Sequence, residues 1–248
     1  MSTPELIFLA IAALAAGTIN GLLGYGFSSL MVPTGLLLTP VRLLNPALVL
    51  IELPLNTGAA LIHRRRIPGL WRELRPFALA LLPGIALGAL ILLGLPAPLL
   101  KLVCYGLLLP LVLLQIFARP PAPRPAEFRA RTGFGFATGL FYGLTTISGP
   151  TLALYAHRRG YAKDDARAAL SILRAMESLI AFIFFTSLGL FTAQGLRLAL
   201  TLLPAALMGL WAGHTLATRV EDGRFRRLAL HFNLLAVAVG LVRALGAA

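Results

Sequence analysis

The sequence predicts an all-α polytopic membrane protein made of two inverted-topology repeats, each a broken-helix hairpin followed by three transmembrane helices. Three observations carry that prediction. Hydrophobic residues fill 58% of the 248 positions and charged residues only 12%, where a soluble domain carries roughly 25% charged residues. The basic residues are gathered: residues 64–75, 119–131, 158–167 and 219–227 hold 17 of the 22 Lys and Arg. The apolar pattern also starts again after a basic, proline-rich stretch near the middle of the chain.

The net charge of +13 does not point to nucleic acid, because the arginines sit in short clusters between apolar runs. Membrane proteins place such clusters on their cytoplasmic side. The lone Cys104 lies in an apolar run, so no disulfide within the chain is expected, no metal cluster is suggested and no cofactor is implied. The first residues, Met1-Ser-Thr-Pro-Glu5, lack the basic start of a signal peptide, so the first apolar run is expected to be a mature helix.

That run covers residues 4–18. Asn20-Gly-Leu-Leu-Gly-Tyr-Gly-Phe-Ser-Ser29 follows, and its glycines weaken a helix. The sequence predicts a break near residues 24–28 and a short helix to about residue 38, with Ser28 and Ser29 placed to cap it. Residues 39–46 read as a loop. A helix over 47–62 carries Glu52, Pro54 and Asn56, and Pro54 leaves the Leu50 carbonyl without its donor. Spans are expected at 76–95 and 99–118. In the first of these, Gly84 and Gly88 at spacing four allow close helix contact. Trp71 reads as an interface anchor and Trp211 as a packing residue.

Residues 119–131 form a proline-rich, basic linker, expected on the cytoplasmic side between a first repeat, 1–118, and a second, 132–248. A glycine-rich segment leads to Thr145-Thr-Ile-Ser-Gly-Pro-Thr151 and a short helix ending at His157. A helix over 165–190 carries Arg174 and Glu177, and spans at 196–217 and 228–245 close the chain. Three anchors align the halves: Pro83 with Pro204 at an offset of 121, Ala47-Leu48 with Ala169-Leu170 at 122, and Pro33 with Pro150 at 117. At 122, Glu52 falls opposite Arg174. If the four basic clusters share one side, each half crosses the membrane an odd number of times. The halves are then inverted, the layout of many secondary transporters, and both termini lie outside.

In such folds the substrate sits near the midplane, where broken helices meet. Ser148 and Gly149 would open a short helix through Thr151, with proline in its first turn. Free N–H groups and the positive end of the helix dipole suit an anion. Ser28 and Ser29 would offer the partner site, Asn56 a polar neighbour, and Arg174 a planar fork of donors. Arg174 and Glu177, three apart, share a helix face. Glu177 and Glu52 are the candidates for proton coupling, since carboxylates at membrane depth mark proton relays. The sequence holds no His-Glu-x-x-His pair and no Ser/His dyad, so an enzyme is not expected.

The order Gly149-Pro-Thr-Leu-Ala-Leu-Tyr155, Arg159-Gly160, Asp165-Ala-Arg167, Leu203-Pro204 with Gly209, and Phe225-Arg-Arg227 resembles the sulfite exporter TauE/SafE family of membrane permeases. The first half agrees through Gly21-Leu-Leu-Gly-Tyr-Gly26, Pro33 and the cluster of Arg64, Arg65 and Arg66. The resemblance covers nearly the whole chain. It implies a transporter of sulfite, a sulfonate or a similar small organic anion, in the cell (inner) membrane. Together with the residues it leads us to expect a proton-coupled secondary carrier working by alternating access on a small anionic substrate. A passive anion channel is the alternative.

Overall fold

The computed structural model describes residues 2–117, 128–216 and 222–246. The described residues form helices throughout: α1 (Thr3–Leu23), α2 (Phe27–Gly35), α3 (Val41–Ile62), α4 (Ile67–Gly94), α5 (Ala97–Phe117), α6 (Phe128–Thr145), α7 (Gly149–Arg158), α8 (Lys163–Ser187), α9 (Ala193–Leu216) and α10 (Asp222–Gly246). Five of them, α1, α3, α4, α8 and α9, are long and apolar enough to cross a membrane, and α5 and α10 carry shorter apolar stretches. Most of the 119–131 linker, up to residue 127, lies outside the described residues.

Polarity is distributed as lipid demands. Leu79, Leu200, Met208 and Ile183 face outward, while Arg174, Glu52 and Glu177 are buried. A polytopic membrane protein therefore places its few charges at the centre and its leucines at the rim. Trp211 is 73% exposed. It is a rim residue and not the packing residue expected from its glycine neighbours.

Three helices, α1, α3 and α4, run longer than the sequence suggested. The loop expected at 39–46 is helical from Val41, so Pro46 lies inside α3. α4 starts at Ile67 and not at 76, taking in Trp71, Arg72 and Arg75. α1 continues to Leu23, past the expected end at 18. In a membrane an unpaired backbone group has no water to turn to, so a helix continues through a proline that would stop it in solution.

Each break turns on a left-handed residue, Gly24 in the first and Thr146 in the second. α1 ends on Gly24 (φ 79), whose N–H donates to Asn20 O at 2.8 Å. α6 ends in the same way on Thr146 (φ 59), whose N–H donates to Tyr142 O at 2.7 Å. This αL cap suits glycine. On threonine it costs about 1–3 kcal/mol, a strain that persists only where surrounding structure enforces it.

Side chains fix which ends of the helices meet. Arg66, after α3, forks between Asp164 at 2.9 Å and Asp165 at 3.0 Å, at the start of α8. Glu73, early in α4, is paired with Arg159 and accepts from the Tyr161 hydroxyl at 2.5 Å, just past α7. Arg131, early in α6, donates to Glu73 O at 3.4 Å. On the opposite face Arg42, opening α3, donates to the carbonyls of Leu92, Leu93 and Leu95 at the end of α4, at 2.6–3.2 Å. α6 therefore leaves from the face to which α7 returns, and α3 and α8 run in opposite directions.

Two further helix pairs pack backbone to backbone, α1 on α9 and α4 on α6. A Cβ added at Gly17 or Gly21 would stand 2.3 Å from the carbonyl oxygen of Ala206 or Leu210. One at Gly84 would meet Phe136 O at the same 2.3 Å. Glycines four apart thus bring main chains together, as the Gly84 and Gly88 spacing predicted.

Candidate functional site

α3 and α8 cross at the centre of the molecule, and the polar residues of both gather there. Arg174 is 1% exposed and Glu52 fully buried. The Arg174 Nη2 donates to Glu52 Oε1 at 2.7 Å and its Nη1 to Asn20 Oδ1 on α1 at 3.0 Å. The other Glu52 oxygen accepts from the Tyr142 hydroxyl on α6 at 2.7 Å. Asn56 donates to the Ser178 hydroxyl at 2.7 Å. Helices α1, α3, α6 and α8 thus each place at least one side chain in a single buried network.

Arg174 and Glu177 share a helix face, as their spacing predicts, but they do not bond to each other. Spacing of three puts both on one side of α8, but the guanidinium reaches across to α3 and leaves Glu177 alone. Glu177 instead accepts from the Ser148 hydroxyl at 2.5 Å through one carboxylate oxygen. Its other oxygen, Oε1, is buried with no partner among the described residues.

Ser148 is the residue before α7, as expected, yet its side chain makes no cap bond; its hydroxyl donates to Glu177 instead. The expected capping by Ser28 and Ser29 is also corrected. Gly26 (φ 111) holds the cap position of α2, and both serines lie inside the helix. They remain buried at the break, and the Ser29 hydroxyl has no partner among the described residues.

The two breaks face each other. A Cβ on Gly149 would stand 3.0 Å from the Tyr25 ring and 3.2 Å from Ser29 Oγ. Ser148, Gly149 and Ser29 therefore meet, with Glu177 behind them. Thr151 is turned away, its hydroxyl bonded to Ser148 O at 2.7 Å within its own helix. Three buried polar atoms at this centre lack partners among the described residues: Ser29 Oγ, Arg174 Nε and Glu177 Oε1. Buried polar groups are normally satisfied, so each of these atoms is free to take a further hydrogen-bond partner. Among the described residues no three His, Cys, Asp or Glu side chains gather as a metal site would require.

Asn20, Tyr142 and Ser178 escaped the sequence reading. The offset of 122 would have found them. It carries Asn20 onto Tyr142, one turn before each break, and Asn56 onto Ser178.

A family description, sulfite exporter TauE/SafE, matches residues 9–241, nearly the whole chain. No curated protein and no solved structure matches.

Proposed function

Since the chain belongs to the sulfite exporter TauE/SafE family of membrane transporters, we propose that it is a proton-coupled secondary carrier of a small organic or sulfur-containing anion, working by alternating access from the cell (inner) membrane. The meeting of the α2 and α7 starts beside buried Arg174 carries this reading. The amide groups at a helix start favour negative charge. Ser29 Oγ stands unpaired beside Gly149, and Arg174 Nε is buried and unpaired on α8, which also carries Glu177. Ser148, Gly149, Ser28, Ser29, Asn56 and Arg174 form the binding set, and Glu177 or Glu52 handles the proton. Thr151 contributes by holding the first turn of α7. A carrier is favoured over a passive channel because Arg174, Glu52 and Glu177 are each at most 1% exposed, so the site is sealed.

We also propose that residues 1–118 and 132–248 are inverted repeats. The supporting observations share one offset. α2 and α7 start 122 residues apart, as do α3 and α8, and α1 and α6 end 122 apart. Asn45 Nδ2 donates to Leu144 O at 2.7 Å, and 122 residues on Arg167 donates to Leu22 O at 2.5 Å. Pro33 and Pro150 drop out as equivalents, because the helix starts set the register. In this reading the face that gathers Arg66, Arg131 and Arg159 is cytoplasmic, and both termini lie outside.

The test is equilibrium binding of sulfite, taurine-like sulfonates and small carboxylates to wild type and Arg174→Lys in detergent. Lysine keeps the charge and loses the fork. Losing a charged hydrogen bond costs about 1.5–3 kcal/mol, or roughly tenfold to a hundredfold in affinity. Unchanged affinity in folded Arg174→Lys would place the site elsewhere.

A further inference from the structure

We propose that Glu177 is the resident anion of this site: its carboxylate holds the place at Ser148 that the substrate must take, so the substrate enters only as Glu177 takes up a proton. This rests on the anion-carrier reading and goes beyond it by naming one proton carrier, an order of events and a substrate charge.

The two carboxylates at the centre differ in how they are held. Both oxygens of Glu52 are occupied, one by Arg174 at 2.7 Å and one by Tyr142 at 2.7 Å. Glu52 is therefore the fixed counter-ion of the guanidinium. Glu177 is held at one oxygen only, by Ser148, the residue that opens α7. Its other oxygen is buried and unpaired. The charged or titratable groups facing Glu177 are Arg174 on its own helix, Glu52 on α3 and Tyr142 on α6. At the start of α7 the Ser148 hydroxyl meets Glu177, while His157 and Arg158 lie in the last turn of that helix. The charged residues of α4, which also packs on α8, lie near its start, where Glu73 is bound to Arg159.

Arg174 and Glu52 cancel. What remains is a carboxylate at the positive start of a ten-residue helix, with the unpaired Ser29 hydroxyl beside Gly149. That is where an oxyanion would bind. Two anions in contact in a buried site repel strongly, so the ionised Glu177 and the substrate exclude each other. A proton from water on the open side forms an O–H bond on Glu177, the side chain gives up Ser148, and the substrate accepts from Ser148, Ser29 and the α7 amides. The centre carries one net negative charge with either occupant. A singly charged oxyanion preserves that balance and a doubly charged one does not, so the carried species is a monoanion with a proton.

The test uses the full-length protein in detergent with two probes, sulfite and a small alkyl sulfonate that stays ionised at every pH used. Calorimetric titrations in buffers of different ionisation heat read the protons taken up per anion. Wild type is expected to take up about one proton per sulfonate, with affinity falling about tenfold per pH unit on the alkaline side. Glu177→Gln should bind the sulfonate with no uptake and a flat pH dependence. Sulfonate binding to wild type without proton uptake overturns the proposal whether or not any variant folds. So does uptake that survives in Glu177→Gln. Wild type that binds neither probe overturns the anion-carrier reading itself, and this proposal with it.

Discussion

Removing one partner of the Arg174–Glu52 pair should destabilise the protein more than removing both. The two groups sit 2.7 Å apart with at most 1% exposure. Arg174→Leu leaves the Glu52 carboxylate buried with only the Tyr142 hydroxyl, and Glu52→Leu leaves the guanidinium with only Asn20. Breaking a buried pair from one side costs about 3–5 kcal/mol, because the partner's charge stays behind uncompensated. In a chain of this length each kcal/mol moves the melting temperature by about 2–4 °C, so each single variant should melt roughly 6–20 °C below wild type. The double variant removes both charges, and exchanging a buried pair for apolar groups is often neutral or stabilising. It should regain most of the loss and still fail to bind the anion. Melting curves of the four proteins in one detergent close a double-mutant cycle. Additive single effects, or single losses under about 1 kcal/mol, would mean that the contact does not hold α3 to α8 and would refute the reasoning.

Other predictions are simpler. With Cys104, a buried free thiol, replaced by alanine, cysteines at positions 3 and 247 should react with an impermeant reagent from outside and those at 66 and 121 should not; the reverse pattern ends the proposed orientation. A Cβ at Gly213 would stand 2.1 Å from Thr18 O, whereas one at Gly58 meets nothing within 4 Å. Gly213→Ala should therefore lose about 1–3 kcal/mol and Gly58→Ala gain about 0.4–1 kcal/mol, both read from melting curves. Burial, aided by the Arg167 charge, holds the His63 imidazole below its ordinary value. The folded protein then binds this proton less readily than the unfolded chain. The stability His63 supports is present above about pH 6.5 and fades as pH falls, so wild type should lose ground to His63→Gln on acidification; a constant gap would contradict the assignment.

The centre of the site was legible because charge in an apolar helix is costly enough to need a reason. Arg174, Glu177 and Glu52 stood out on that ground and Ser148 as a helix start; Arg174 meets Glu52, and Ser148 meets Glu177. Their pairing was not legible from one helix. Spacing along α8 names neighbours on a face, but an arginine side chain spans the gap between helices, and the crossing with α3 offered it a second carboxylate. The boundaries of α3 and α4 were not legible, because both helices continue through prolines, Pro46 and Pro76, beyond the apolar runs that marked the spans. Trp211 misled by proximity. Residues two apart on a helix point about 200° apart, so the glycines at 209 and 213 that meet α1 turn Trp211 outward.

The proposed repeat also accounts for which equivalent positions kept their chemistry and which diverged. Near a two-fold axis a residue meets its own equivalent. Glu52 faces Arg174 and Asn56 faces Ser178, each 122 residues apart. Two glutamates or two arginines there would be like charges buried in contact, so a duplicated chain could keep this crossing only by making the two copies unlike. Away from the axis a residue meets something other than its equivalent, and the same contact can stand twice. Asn45 on Leu144 O and Arg167 on Leu22 O are such a repeat, with a side-chain donor closing the last turn of α6 and of α1. The breaks lie between these cases. Gly24 and Thr146 share the left-handed turn, but Gly26 opens α2 with no side chain while Ser148, its equivalent, holds Glu177. The division of labour follows. The first repeat supplies the fixed counter-ion Glu52 and the unpaired Ser29 hydroxyl, and the second supplies Arg174, Ser148 and the carboxylate that must move. Anion binding as proposed at the centre would therefore need both halves at once, and a motion of one half against the other would change every contact the anion makes.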